Sequence, residues 1–199
     1  MVRDYVAWLD AAAVILVEGT SDRIALQVLA ERQGRDLAAD GVHVVPMGGA
    51  TNIGRFLVSL APLRPGLTVA GLYDAAEEPY IRRGLERFGF GSDLATAELE
   101  SLGFYACVTD LEDELIRAVG VAGVERIIEA EGELASLRLL QQQPAQRRRS
   151  ATQHLHRFIG VRSGRKDRYA HLLAAAVDLT RAPRPLDAVL AHVIRGLGT

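Results

Sequence analysis

The sequence predicts an α/β fold, with a central parallel four-stranded sheet flanked by helices and a helical extension at the C-terminus. Three observations predict it. The strand-like segments are apolar throughout instead of alternating, as in strands buried on both faces. They alternate with helical patterns, the order that builds parallel βαβ units. From about Val121 onward the pattern is helical only, which sets a division into an α/β core at 1–119 and helices at 120–199.

The elements follow in order. "AAVILVEG" is a buried strand ending at a glycine. "SDRIALQVLAERQG" places Ile24, Ala25, Val28 and Leu29 on one helical face and stops at Gly34. "VHVVPM" is the second strand, "GGATN" a turn and "IGRFLVSLAPL" a helix. "LTVAGLYD" is the third strand, followed by the polar helix "EPYIRRGLERFG". "AELESLG" forms a short helix, "FYACVTD" the fourth strand and "LEDELIRAVG" the helix after it. Beyond these, "VERIIEAEG", "ELASLRLLQQQ", "SATQHLHRFIG", "RYAHLLAAAVDL" and "PLDAVLAHVIRG" read as helices, with "QRRRS" and "RAPRP" as connectors.

Composition narrows the class. A length of 199 residues supports one sizeable core, and a net charge of -2 gives no general attraction to nucleic acid or acidic lipid, so any polyanion site is local. The single cysteine, Cys107, rules out an internal disulfide and fits a reducing compartment. The longest apolar run near the start, "AAAVILV", is far too short to span a membrane and lacks the flanks of a signal peptide. A cytoplasmic protein without a membrane partner is expected.

In an open parallel sheet, ligands bind beyond the carboxyl ends of the strands. Glu18 follows strand one, with Asp22 four residues on. Asp74, Glu77 and Glu78 follow strand three, and Asp110, Glu112, Asp113 and Glu114 follow strand four. Each acid taken singly is explained by helix capping and the helix dipole. Gathered at one edge they repel one another, by roughly 4 kcal/mol per pair about 4 Å apart at an effective dielectric near 20. Such a cluster calls for a cation or for protons. The candidates are all hard oxygens, which favours Mg²⁺, Mn²⁺ or Ca²⁺ over zinc. His154 and His156 are two apart on one helix and do not face each other.

"VILVEGTSDR", "GLYDAAEE" and the order of elements between them resemble the TOPRIM domain, a Rossmann-like fold. The likeness is closer to the overcoming lysogenization defect (OLD) branch. Asp22 matches its second acid, "GGATN" its glycine-rich turn, "DLEDEL" its acidic motif and "RKDRYAHLLAAA" its C-terminal lysine helix. The resemblance implies a stand-alone nuclease that cleaves or nicks DNA with Mg²⁺ or Mn²⁺. It implies Glu18, Asp74 and Glu112 as metal ligands, Asp22 completing a second site, and Glu77, Asp110 and Glu114 in reserve. Where TOPRIM carries Asp-x-Asp, this chain reads Asp74-Ala75-Ala76. Either Glu77 substitutes, or the domain has become a binding module for nucleic acid or an ATPase. Phosphoryl transfer on RNA is the other alternative. OLD proteins carry an ATPase domain before the TOPRIM domain, so any ATPase partner here would be a separate protein. "GVRSGRKD" does not have P-loop spacing.

Lys166 is the chain's only lysine among 23 cationic residues. Its place in the matching motif makes it the candidate to oppose charge on the transition state, as a compact ammonium whose pKa can be tuned downward for proton donation. Nucleic acid is the expected partner, with DNA favoured over RNA. Arg82, Arg83 and Arg87 on one helix, and Arg147 to Arg149, Arg162, Arg165 and Arg168 around the lysine, are candidate phosphate contacts. Thr51 and Asn52 either receive a phosphate at a helix start or cap that helix.

Overall fold

The central strand sets the architecture. β1 (Ala13–Val17) is fully buried along its whole length, so both of its faces must be covered. β2 (Val42–Pro46), β3 (Thr68–Asp74) and β4 (Phe104–Cys107) complete a parallel sheet in the order β2-β1-β3-β4. The computed structural model describes residues 11–60, 66–161 and 164–197. The register aligns Val17 with Pro46 and Asp74 with Cys107, so all four carboxyl ends point the same way. The chain reverses its direction of winding between β1 and β3, and a crevice opens there.

Two apolar layers cover the sheet. On one face lie α2 (Ile53–Leu60), α3 (Glu78–Arg87) and α4 (Thr96–Ser101), packed through Ile53, Leu57, Ile81, Leu85 and Leu99 against Val14, Leu16 and Tyr73. On the other face lies α1 (Thr20–Arg32), joined by α5 (Leu111–Val119), α6 (Val121–Ala130), α7 (Leu134–Gln142), α8 (Ala151–Gly160), α9 (Arg165–Ala176) and α10 (Arg184–Leu197). A single apolar cluster runs from Ile15 through Leu26 and Leu115 to Tyr169 and Val193. The expected boundary at 119/120 falls at Gly120 between α5 and α6, and this core crosses it.

α9 lies alongside α1. Arg32, at the end of α1, donates to the carbonyls of Ala174 (2.9 Å) and Val177 (2.6 Å), the last of α9. These carbonyls have no acceptor role inside their own helix, so the guanidinium caps them. Because the C-terminal ends meet, the two helices run parallel and both begin at the crevice.

Two expectations shift in detail. Arg184, read as connector, already lies in α10, and Pro185, the expected helix start, sits in its first turn, where a proline costs nothing because those N–H groups have no helical acceptor. The helix expected to reach Leu63 is described as far as Leu60, its last residues lying outside the described range. Among the described residues, no helix is long and apolar enough to cross a membrane.

Candidate metal centre

Strand ends and helix starts converge on a cleft of about 290 Å³ at the carboxyl edge. Its walls are the first turn of α1 with the residues before it (Glu18, Gly19, Thr20, Ser21, Asp22), Asp74 at the end of β3, the start of α5 (Asp110, Leu111, Glu112) and the start of α9 (Lys166, Asp167). Three helices therefore aim their N-termini at it. The acids sit there for local reasons as well, since carboxylates complement the positive end of a helix.

Glu18 is positioned by its backbone. Its carbonyl accepts N–H bonds from Gly48 (3.0 Å) and Gly49 (3.3 Å) of the turn after β2. Both glycines have positive φ, +71° and +115°, which a side chain would resist. This is the physical work of the "GGATN" turn. Asn52, weighed above as a phosphate donor, turns inward and donates its amide to Met47 O (3.0 Å) and Gly48 O (3.2 Å), tying the same turn.

Asp22 is 8% exposed, and its Oδ2 accepts from the Gly19 N–H at 2.7 Å. Burial, with the Glu112 and Glu18 charges, pushes its carboxyl up to about 6 against the opposing Gly19 bond and Lys166. Asp74 is pushed up to about 7 by burial and by the charges of Glu18, Asp22, Asp110 and Glu112. Glu18 is also raised, first by burial and then by Glu77. The acids that the sequence scattered over some 95 residues thus feel one another as a group.

Asp110 caps α5. Its Oδ1 accepts from Asp113 N at 2.9 Å, and its Oδ2 lies 2.5 Å from His156 Nε2. Burial raises it, yet the bonds from His156 and Asp113 outweigh burial and hold it below the usual carboxylate range. Glu112 is 5% exposed; its Oε2 accepts from Lys166 Nζ at 3.2 Å, while its Oε1 is buried without a hydrogen-bond partner. Lys166 is half-exposed, and its pKa moves up: burial lowers it, but Glu112, Asp110 and Asp22 prevail. Its pKa thus moves opposite to the downward tuning expected for proton donation.

Several expected residues stand apart. Glu77 is near enough to raise Glu18 but does not line the cleft. Glu114, a reserve ligand, accepts from Val108 N (2.9 Å) and pairs with Arg117 (2.6 Å), which fixes the loop after β4. Glu78 is engaged by Tyr73, Arg82 and Thr96. Arg82 is held in that pair, and Arg83 donates to Pro79 O and lies over the Tyr80 ring. Arg165 is turned away from any phosphate. It is 5% exposed, bonded to Phe158 O (2.9 Å) and Glu133 (2.7 Å), with its guanidinium 4.0 Å from the Phe158 ring centre. Arg168 pairs with Glu131 and Glu133. Arg147 to Arg149 are exposed, and Arg162 lies outside the described residues.

Sequence reasoning passed over two residues, one lining the cleft and one bonded to its wall. Asp167 lines it from the first turn of α9. His156 reaches Asp110 across 46 residues of sequence. It does not face His154, which binds Gln146 O instead, so the spacing argument held while its conclusion missed the tertiary partner. Asp110, Glu112 and His156 each bring a ligand-type atom within 4.8 Å of the others.

The residues fit a divalent cation on their own chemistry. A buried carboxylate oxygen without a donor is costly in a metal-free site. So is a set of carboxylates raised by mutual repulsion. A cation among hard oxygen ligands relieves both.

Residues 11–75 match the family described as "Overcoming lysogenization defect protein-like, TOPRIM domain". Two solved structures of the C-terminal region of the Xanthomonas campestris pv. campestris OLD protein superpose on the chain. One has a TM-score of 0.68 at 25% identity, covering 94% of this chain and 97% of that one. The other has a TM-score of 0.71 at 24% identity, covering 94% of each. The C-terminal region of the Burkholderia pseudomallei OLD protein gives 0.70 at 21% identity, covering 94% of this chain and 98% of its own. No curated protein matches the chain.

Proposed function

With residues 11–75 identified as an OLD-like TOPRIM domain, we propose that the chain is a divalent-metal-dependent nuclease that cuts or nicks DNA. The observation that carries this reading is Glu112 Oε1, a buried carboxylate oxygen without a partner, in a cleft shared with Glu18, Asp22, Asp74 and Asp110.

Glu18, Asp74 and Glu112 would hold the cation, with Asp22 beside them. A Mg²⁺ or Mn²⁺ ion in such a site supplies Lewis-acid stabilisation of the charge that builds on phosphoryl oxygens. Lys166 adds a point charge at the rim, half-exposed and so able to meet a single phosphate oxygen. Its ammonium would oppose the negative charge that builds on that oxygen. Thr20 and Ser21 present the first turn of α1, where N–H groups without a helical acceptor favour an anion.

The test is cleavage of supercoiled plasmid, and of structured RNA in parallel, in Mg²⁺, Mn²⁺ or EDTA. Cleavage that needs metal and is lost in both Glu18→Ala and Lys166→Ala is the expected result. A Glu18→Ala protein that cuts as fast as the parent overturns it. Cleavage of RNA alone moves the substrate from DNA to RNA. A second reading rests on Ala76, which is exposed where the family pattern has its second aspartate. Nucleic-acid binding without cleavage would make the chain a binding module.

A further inference from the structure

The α5 side of the cleft differs chemically from the rest. Glu18, Asp22 and Asp74 offer oxygen only. At the α5 start, Asp110 and Glu112 are joined by an imidazole from a separate helix, with one ligand-type atom of each within 4.8 Å of the others. His156 is directed at Asp110 and not along its own helix, its Nε2 lying 2.5 Å from Oδ2. Glu112 supplies the independent indication of a ligand. Its carboxylate is 5% exposed, Lys166 takes Oε2, and Oε1 is left buried without a donor.

We infer that Asp110, Glu112 and His156 form a mixed nitrogen–oxygen cation site that takes a first-row transition dication, Mn²⁺ among them, in preference to Mg²⁺. The inference rests on the metal-dependent reading above and concerns a cation position on the α5 side of the cleft that shares Glu112 with the Glu18 and Asp74 position. Mg²⁺ keeps its waters and favours oxygen ligands, whereas an imidazole nitrogen suits later metals and strengthens their binding. Asp110 is well suited to share an ion, because its position is fixed by the Asp113 N–H whatever occupies Oδ2. On binding, Nε2 presents its lone pair to the cation, and the proton it shares with Asp110 leaves to solvent.

Pulsed electron paramagnetic resonance of Mn²⁺ bound to the full chain tests this directly, since only a ligating nitrogen gives strong ¹⁴N coupling. The expected result is imidazole ¹⁴N coupling in the parent and its loss in His156→Gln. Calorimetry on the same proteins should show Mn²⁺ affinity falling at least about tenfold in the variant, with Mg²⁺ affinity changing much less. Mn²⁺ bound without ¹⁴N coupling, or coupling retained in His156→Gln, overturns the inference and leaves the metal-dependent reading intact. His156 would then only orient Asp110. If the parent binds no Mn²⁺, both fall. The parent spectrum decides the matter even if the variant does not fold.

Discussion

Glu112 has two carboxylate oxygens in unlike situations, one held by Lys166 and one buried alone. Glu112→Gln keeps the shape and removes the charge. In EDTA its stability should stay within about 1 kcal/mol of the parent, because losing a half-exposed ion pair is offset by relief of buried repulsion. Mg²⁺ should raise the parent's melting temperature and leave the variant's unchanged. Asp74 and Asp22 add a pH dependence. Their folded pKa values, about 7 and about 6, lie above the ordinary aspartate value of 3.8, so the folded state binds more protons between those limits. Metal-free stability therefore falls as pH rises from about 4 to about 7. Melts in EDTA at pH 5 and 8 should show the higher melting temperature at pH 5, and Mg²⁺ should shrink the difference. Lys166→Arg keeps the charge but not the compact donor, and cleavage should still drop on the order of tenfold or more in plasmid assays. At this scale the sequence was informative wherever a residue's role follows from its place at a strand end or helix start, as for Glu18, Asp74 and Asp110. It was silent on His156, brought to Asp110 by the packing of α8 on α5, and on Arg165, whose burial depends on Glu133 32 residues away.

The turn holding Glu18 and the cap joining two helices decide how firmly the cleft is built. Gly49, with φ +115° and ψ 143°, sits where only glycine is comfortable. Gly49→Ala should cost on the order of 1–3 kcal/mol in urea unfolding and weaken metal binding by displacing the Glu18 carbonyl. Arg32→Ala should cost about 1–3 kcal/mol through two uncapped carbonyls, seen as faster hydrogen exchange at the end of α9. Element order and type were legible because glycine stops, acid-led helix starts and unbroken apolar strands are local signals. The Arg32 cap was not legible, because its acceptors lie 142 and 145 residues away.

Across the whole molecule, one apolar layer joins the sheet to the C-terminal helices, with Tyr169, Leu173 and Leu190 in the same cluster as Ile15 and Leu26. Urea unfolding followed by circular dichroism and by hydrogen exchange in β1 and α10 should give one coincident transition. Leu173→Ala should lower its midpoint, by about 2–5 kcal/mol, in both regions together. A sequence division by element type cannot reveal this, since it records which helices follow the sheet and not which face they cover. The three helix starts around the cleft have a further electrical consequence. Each contributes roughly half a positive charge directed inward, and Lys166 adds a full one, but the bare carboxylates outweigh them and turn the cavity against polyanions. Once the carboxylates are neutralised, the inward dipoles dominate and the sign of the field reverses. On the proposed reading, loading would then be ordered, the nucleic acid being held only after the ion. Divalent ions would strengthen retention of the strand, against the usual weakening by salt.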